Sequence, residues 1–360
     1  MTLDISITPS ANPKTEAQVA EILENPGFGT HFTDHMFTVE WTPEKGWHDA
    51  RITAYGPLTL DPATAVLHYA QESFEGMKAY RHEDGSVWTF RPFENAERMK
   101  RSSHRLALPV LEPEDFVQAV EALVEIDQRW VPEAGSEKSL YLRPFMFASE
   151  AFLGVRPAKH VTFMVIASPA GSYFTGGIKP LTLWLTTEYT RAGRGGMGAA
   201  KTGGNYASSL VAQQEAIAQG CDQVVFLDAQ EGRYVEELGG MNMYFVYGDG
   251  RIVTPETGTI LEGITRSAII ELAGKMGHQV EERKFSIDEW RDGVASGEIT
   301  EVFACGTAAV VTPVGTLKWD GGEVGSATET GPLTTEIRQS LVDIQYGRRP
   351  DEFGWMHKVI

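Results

Sequence analysis

Cysteine is nearly missing from this chain: Cys221 and Cys305 are the only two in 360 residues. They lie far apart and form no CxxC, which excludes a cysteine-based zinc site and leaves a single disulfide between them as the alternative to free thiols. Two buried thiols in a reducing compartment is the simplest reading. Basic residues are also short, with 31 Lys and Arg against 49 Asp and Glu and a formal net charge of -18. No run of Lys and Arg makes a local patch, so neither nucleic acid nor an anionic membrane is expected as a partner. No apolar run approaches the roughly 20 residues of a membrane-spanning helix. The first residues, MTLDISITPSANPKTEAQ, lack the basic and apolar regions of a signal peptide. A cytoplasmic protein without a metal site is the expectation.

What is present is an ordinary globular composition, 42% hydrophobic and 22% charged. A chain of this length buries a core without cross-links and divides into two domains. Residues 1–30, polar with scattered Pro and Gly, read as a poorly structured lead-in. Residues 31–170 read as a smaller N-terminal α/β domain, 171–180 as a Gly-rich interdomain linker, and 181–360 as a larger C-terminal α/β domain. In the first domain HMFTVEW and ARITAYG alternate like strands, and Asp84-Gly85 supplies hairpin chemistry before VWTFR. Pro92 opens a helix that stops before Pro109, and Phe116, Val120, Leu123 and Val124 recur at helical spacing in the next. SLYLRPFMFA and HVTFMVIASPA follow as strands. In the second domain a Gly-rich loop, RAGRGGMGAAKTGG, precedes a single helix, NYASSLVAQQEAIAQG, ended by Gly220. Strands and helices mix without strict βαβ alternation, so the class is mixed α/β (α+β).

Lys201 stands in the densest glycine stretch. Such glycines let backbone approach another group closely, and a lysine held there can have a lowered pKa and act as a nucleophile towards a carbonyl. Gly195–Thr202 also reads G-x-x-x-x-A-K-T, one substitution from a phosphate-binding P-loop, and VVFLD at 224–228 resembles the magnesium-holding strand of a P-loop NTPase. Ala200 before the lysine, and Gly203-Gly204 where a helix should already have begun, count against that reading. Glu262-Gly263-Ile264-Thr265-Arg266 offers a helix start whose N–H groups suit a phosphate, or is a plain cap. Glu237 is a surface acid at a hairpin, or a buried carboxylate that keeps a heteroaromatic nitrogen protonated. Gly306-Thr307-Ala308 is a simple turn, or an anion pocket of backbone N–H groups. Arg143 interrupts an apolar strand and needs an anion, from an internal carboxylate or from a ligand.

Seven blocks together carry a resemblance: LHYAQESFEGMKAYR, RPFENAERMKRS, LYLRPF, AAKTGGNYASSL, VEELGGMNMYF, EGITRSAI and EVFACGTAAVVTP. In this order they are similar to those of the branched-chain amino-acid aminotransferases, two-domain fold type IV enzymes that use pyridoxal 5'-phosphate (PLP). The match runs from about Gly29 to the C-terminus.

The resemblance implies that Lys201 carries PLP as a Schiff base. It implies that Tyr206 hydrogen-bonds the phenolic oxygen and Glu237 pairs with the pyridine nitrogen. Arg98 would grip the phosphate; Arg101 and Arg105 share its helix face, and only the family pattern singles Arg98 out. Ile264, Thr265 and Thr307 would also hold the phosphate. Thr307 and Ala308 would bind the substrate's α-carboxylate. Tyr69, Phe74, Tyr141 and Tyr173 resemble walls of the side-chain pocket, with some supplied by the second subunit of a homodimer. Beside these walls Arg143 is the one cation of the apolar strand, and its fork is expected to swing to the distal carboxylate of glutamate or 2-oxoglutarate and away for apolar substrates. The implied reaction moves the amino group of leucine, isoleucine or valine to 2-oxoglutarate by a ping-pong route. D-amino-acid aminotransferases and aminodeoxychorismate lyases share a similar lysine and are the alternatives within the fold. Two departures stand out. Glu262 replaces a proline of many relatives, and Ala309 and Thr312 occupy the positions of a CxxC found in mammalian members.

Overall fold

The computed structural model describes residues 3–171, 179–325 and 330–360. The chain divides into two compact units. The first contains Met1–Tyr173, Ala200–Gly203 and Asp343–Ile360, and the second Phe174–Ala199 and Gly204–Val342.

In the first unit the strands are β1 (Ser6–Ile7), β2 (His35–Thr42), β3 (Gly46–Ala54), β4 (Glu72–Phe74), β5 (Met77–Arg81), β6 (Val87–Phe90), β7 (Ser139–Ala148) and β8 (Val161–Ala170). The helices are α1 (Glu16–Glu24), α2 (Val66–Tyr69), α3 (Pro92–Arg105) and α4 (Pro113–Ile126). The sheet order is β1-β3-β2-β8-β7-β5-β6, with the C-terminal strand Met356–Lys358 beside β6 and β4 also pairing β7. Among the described residues of this sheet only β1–β3 is parallel. Alternation along β7 sends Leu140, Leu142 and Met146 into the core and leaves Tyr141, Arg143 and Phe145 half-buried on the other face. Helix α4 buries Phe116, Val120, Leu123 and Val124, as its spacing predicts.

The lead-in expected at 1–30 to be poorly structured carries a strand and a helix among its described residues. Thr15 and Gln18 form a reciprocal capping box that starts α1, whose Val19 is buried, and β1 pairs with β3. Its polarity is that of an edge strand and a surface helix. The expected boundaries differ at two further places. The segment Ala200–Gly203, with Lys201, groups with the first unit, and so does the chain from Asp343 onward. The linker expected at 171–180 falls largely outside the described residues.

The second unit holds β9 (Leu181–Leu185), β10 (Gln223–Leu227), β11 (Val235–Leu238), β12 (Asn242–Tyr247), β13 (Ile252–Pro255), β14 (Val280–Arg283), β15 (Ile299–Gly306), β16 (Val310–Trp319) and β17 (Gly322–Gly325). They form a mixed sheet ordered β11-β10-β9-β16-β15-β12-β13-β14, with β17 on β16. Helices α5 (Gly203–Ala207), α6 (Leu210–Ala218), α7 (Ile264–Lys275), α8 (Ile287–Ser296) and α9 (Pro332–Gln345) complete the described elements. The single helix expected after the lysine is therefore two. Ser208 and Ser209 turn their hydroxyls onto the carbonyls of Asn205 and Tyr206, at 2.9 and 2.7 Å, where α5 stops. Helix α5 begins on the very glycine pair judged a poor start. Tertiary contact overrides propensity there, since the Gly203 N–H donates to Glu72 and a Cβ at Gly203 would lie 2.8 Å from that carboxylate.

Candidate active site

In the first unit Lys201 is pinned by its backbone. Its N–H donates to the Ser102 hydroxyl at 2.9 Å, and its carbonyl accepts from Phe74 N–H at 3.0 Å. The amine lies 4.7 Å from the centre of the Phe74 ring. Burial pushes its pKa down to about 8, helped by the Arg98 and Arg143 charges and opposed by Glu75. A lysine at that value is neutral in roughly a fifth of molecules near pH 7.4, against about a thousandth for an ordinary one.

Helix α3 presents its inner face at i, i+3, i+7 spacing: Asn95, Arg98 and Ser102 are all buried. Arg101 and Arg105 are exposed, so the structure separates them from Arg98. Arg98 lays its fork on Glu75, with Nε to Oε1 at 2.8 Å and Nη2 to Oε2 at 2.7 Å, and Asn95 adds a third bond to that carboxylate at 2.8 Å. Glu72 accepts from the Thr202 hydroxyl at 2.9 Å and from Gly203 N–H, yet burial still raises its pKa.

Arg143 donates to the Tyr141 hydroxyl at 3.1 Å, and its guanidinium carbon lies 4.8 Å from the Phe74 ring centre and 5.4 Å from that of Tyr141. Among the described residues it has no ion pair, and its buried Nε has no hydrogen-bond partner. Tyr141 fits only because position 76 is glycine, since a Cβ there would overlap its hydroxyl. Phe28 of the lead-in meets Tyr141 edge-on, with ring centres 5.0 Å apart. Tyr69 is exposed on α2 and donates to the Leu153 carbonyl. Tyr173 lies outside the described residues.

In the second unit Glu237 of β11 is buried and ion-paired with Arg191, their side chains 3% and 1% exposed. The Arg191 guanidinium carbon lies 5.8 Å from the centre of the Tyr206 ring. Neighbouring Glu236 is engaged elsewhere. It accepts from the Thr259 hydroxyl, and burial raises its pKa. Gly263 opens α7 from an extended backbone without a side-chain cap, and the first helical bond is Ser267 N–H to Gly263 carbonyl at 2.9 Å. Ile264, Thr265 and Arg266 thus present N–H groups with no intrahelical acceptor. A Cβ at Gly263 would overlap the Asn242 side chain. The Arg266 side chain turns inward to Glu282 at 2.8 Å and the Pro255 carbonyl at 2.9 Å. Glu262 is exposed. Thr307 and Ala308 lie in the turn closing the β15–β16 hairpin, where Val310 takes a left-handed φ of 61°. No metal-binding group of three or more His, Cys, Asp or Glu occurs among the described residues.

Residues 72–317 match the family model for amino-transferase class IV. The chain is 57% identical over 355 residues to a probable branched-chain-amino-acid aminotransferase of Streptomyces coelicolor, covering 98% of each. The chain belongs to the branched-chain-amino-acid aminotransferase family. Two solved complexes of the branched-chain amino acid aminotransferase from T.th. share the fold. The one with N-(5'-phosphopyridoxyl)-L-glutamate superposes with a TM-score of 0.74 at 29% identity, over 89% of this chain and 98% of that one. The one with 4-methylvaleric acid does so with a TM-score of 0.73 at 29% identity, with the same coverage.

Membership of this family removes the P-loop reading, though not for the reason the glycine pair suggested. Sequence reasoning about a branched-chain aminotransferase missed three residues at these sites. Glu75 and Arg191 are partners of residues it did name, and no spacing rule links them across so much chain. Phe28 lay in the segment read as unstructured.

Proposed function

We propose that the protein transfers amino groups between branched-chain L-amino acids and 2-oxoglutarate with PLP as cofactor. The observation that carries this is Lys201, half-buried inside an aminotransferase fold, with its N–H and carbonyl both pinned and its amine against the Phe74 ring. The residues fit the cofactor by their chemistry. A neutralisable amine suits its aldehyde, the open N–H groups of Ile264 and Thr265 suit its phosphate, and buried Glu237 suits its pyridine nitrogen. Arg98, Thr307 and Tyr206 complete that set, with Arg98 oriented by Glu75. When bound, PLP supplies an aldehyde that accepts amines and a ring that accepts electrons.

The chain's own residues do the rest. Lys201 Nζ removes the proton from the substrate Cα and holds it for return. Thr307 and Ala308 bind the α-carboxylate through backbone N–H groups. Tyr69, Phe74 and Tyr141 offer aromatic walls for the side chains of leucine, isoleucine and valine. Arg143 offers a fork to the second carboxylate of glutamate. One enzyme thereby serves both substrates in alternating half-reactions. The two solved complexes of the relative, one with a glutamate adduct and one with 4-methylvaleric acid, support this pairing. A cytoplasmic homodimer is the proposed state.

Purified protein should be yellow, and borohydride should fix cofactor mass on the peptide containing Lys201. Leucine with 2-oxoglutarate should give glutamate, and Lys201→Ala should abolish both results. A colourless protein unchanged by added PLP would remove the proposal.

A further inference from the structure

Arg191 has no part in the roles assigned so far, yet it is among the most enclosed charges of the second unit. Its side chain is 1% exposed. Among the described residues its one hydrogen-bond and ion-pair partner is Glu237, and its buried Nε has none. A guanidinium carries five donors, and a purely structural one at this depth is normally satisfied at several. Here the guanidinium bonds one carboxylate, through Nη1 to Oε1 of Glu237.

The loop that carries it is built to hold it there. Gly196 N–H donates to the Gly193 carbonyl at 2.8 Å, folding the loop on itself. Asn205 Nδ2 donates to the Met197 carbonyl at 2.9 Å. Gly198 lies so close to the Thr259 carbonyl and the Ala192 side chain that any Cβ would overlap both. The guanidinium is therefore delivered to Glu237 by a clamped backbone.

We propose that Arg191 is a positioning residue that holds Glu237 as an ionised carboxylate, with its plane fixed, for the pyridine nitrogen of PLP. This rests on the reading of Glu237 given above. The physical need is plain. A buried carboxylate without a partner tends to take up a proton, and a neutral Glu237 could not stabilise a charged ring nitrogen. Arginine suits the task because it stays charged at any working pH. Neighbouring Glu236 also feels the Arg191 charge, but Arg191 is hydrogen-bonded to Glu237 and not to Glu236, whose Oε1 accepts from Thr259.

The test compares how apoprotein binds PLP and a carbocyclic analogue in which CH replaces the ring nitrogen, measured by equilibrium titration. Wild type should prefer PLP. Glu237→Gln should erase most of that preference, and Arg191→Gln, which keeps bulk and polarity, should reduce it at least tenfold. Arg191→Lys should restore most of it. The ratio of the two affinities is the readout, so a general loosening of the fold cancels. Should Arg191→Gln not fold, Arg191→Gln with Glu237→Gln removes both buried charges, and Arg191→Lys is judged against it. If Arg191→Lys then binds the two ligands as that double variant does, the proposal fails. Equal weakening towards both ligands in Arg191→Gln would make Arg191 merely structural and overturn the proposal. An unchanged preference in Glu237→Gln would instead remove the reading of Glu237 on which it stands.

Discussion

Arg143 donates to the Tyr141 hydroxyl at 3.1 Å, and among the described residues no carboxylate bonds it, Glu72 acting on its charge only at longer range. It rests on the Phe74 ring, 4.8 Å from its centre, which costs little to leave. An arginine so placed is available to an anionic ligand. Arg143→Met should therefore damage the half-reaction of glutamate far more than that of leucine. A charged hydrogen bond contributes about 1.5–3 kcal/mol, so the ratio of the two rates should move roughly ten- to a hundredfold. Single-turnover kinetics of each half-reaction measure it. Equal losses would make Arg143 a shared α-carboxylate ligand.

The Arg98–Glu75 pair is wholly buried and bonded at both nitrogens of the fork. Removing one partner strands the other's charge. Glu75→Gln should cost about 3–5 kcal/mol of apoprotein stability, read by urea denaturation. Glu75→Gln with Arg98→Met should recover part of the loss, because no charge is then stranded. A single variant as stable as wild type would mean that the pair contributes nothing to folding.

Motifs whose residues sit close in sequence were legible. The lysine, the Glu237 strand, the α7 start and the Thr307 turn each announce themselves by local glycine and strand patterns. What was not legible is pairing across the chain. Arg191 and Glu237 meet only because a clamped loop returns to β11, and Glu75 meets Arg98 because β4 runs into β5 beneath α3. The break between α5 and α6 was hidden because two serines look harmless in a helical pattern until their hydroxyls find carbonyls. The lead-in misled because polarity marks surface elements as well as disorder. The Thr15–Gln18 capping box was the available signal.

Cys305 is buried, and burial pushes its thiol up to about 12. Almost none is thiolate at neutral pH, and Ala309 and Thr312 supply no neighbouring sulfur. Mild peroxide should leave activity unchanged, and native protein should not react with a thiol reagent at this residue before it unfolds. Reversible, thiol-dependent inactivation that Cys305→Ser abolishes would contradict this.

The depressed Lys201 amine makes a prediction about pH. Its value of about 8 in the fold lies below the 10.5 of an ordinary lysine. The folded apoprotein therefore binds fewer protons here than the unfolded chain between those values. By linkage, this residue adds stability as pH rises through that window and penalises the fold below it. The difference in unfolding free energy between wild-type apoprotein and Lys201→Met should accordingly shift towards wild type from about pH 8 to about pH 10. Capture of PLP needs the neutral amine, so its rate, followed by absorbance after stopped-flow mixing, should rise about tenfold per pH unit below about 8 and level off just above it. Phe74→Ala, which opens the site to water, should move the plateau upward. A capture rate in wild type that keeps climbing to about pH 10 would show an ordinary lysine, and desolvation of the Lys201 amine would not be what sets its reactivity.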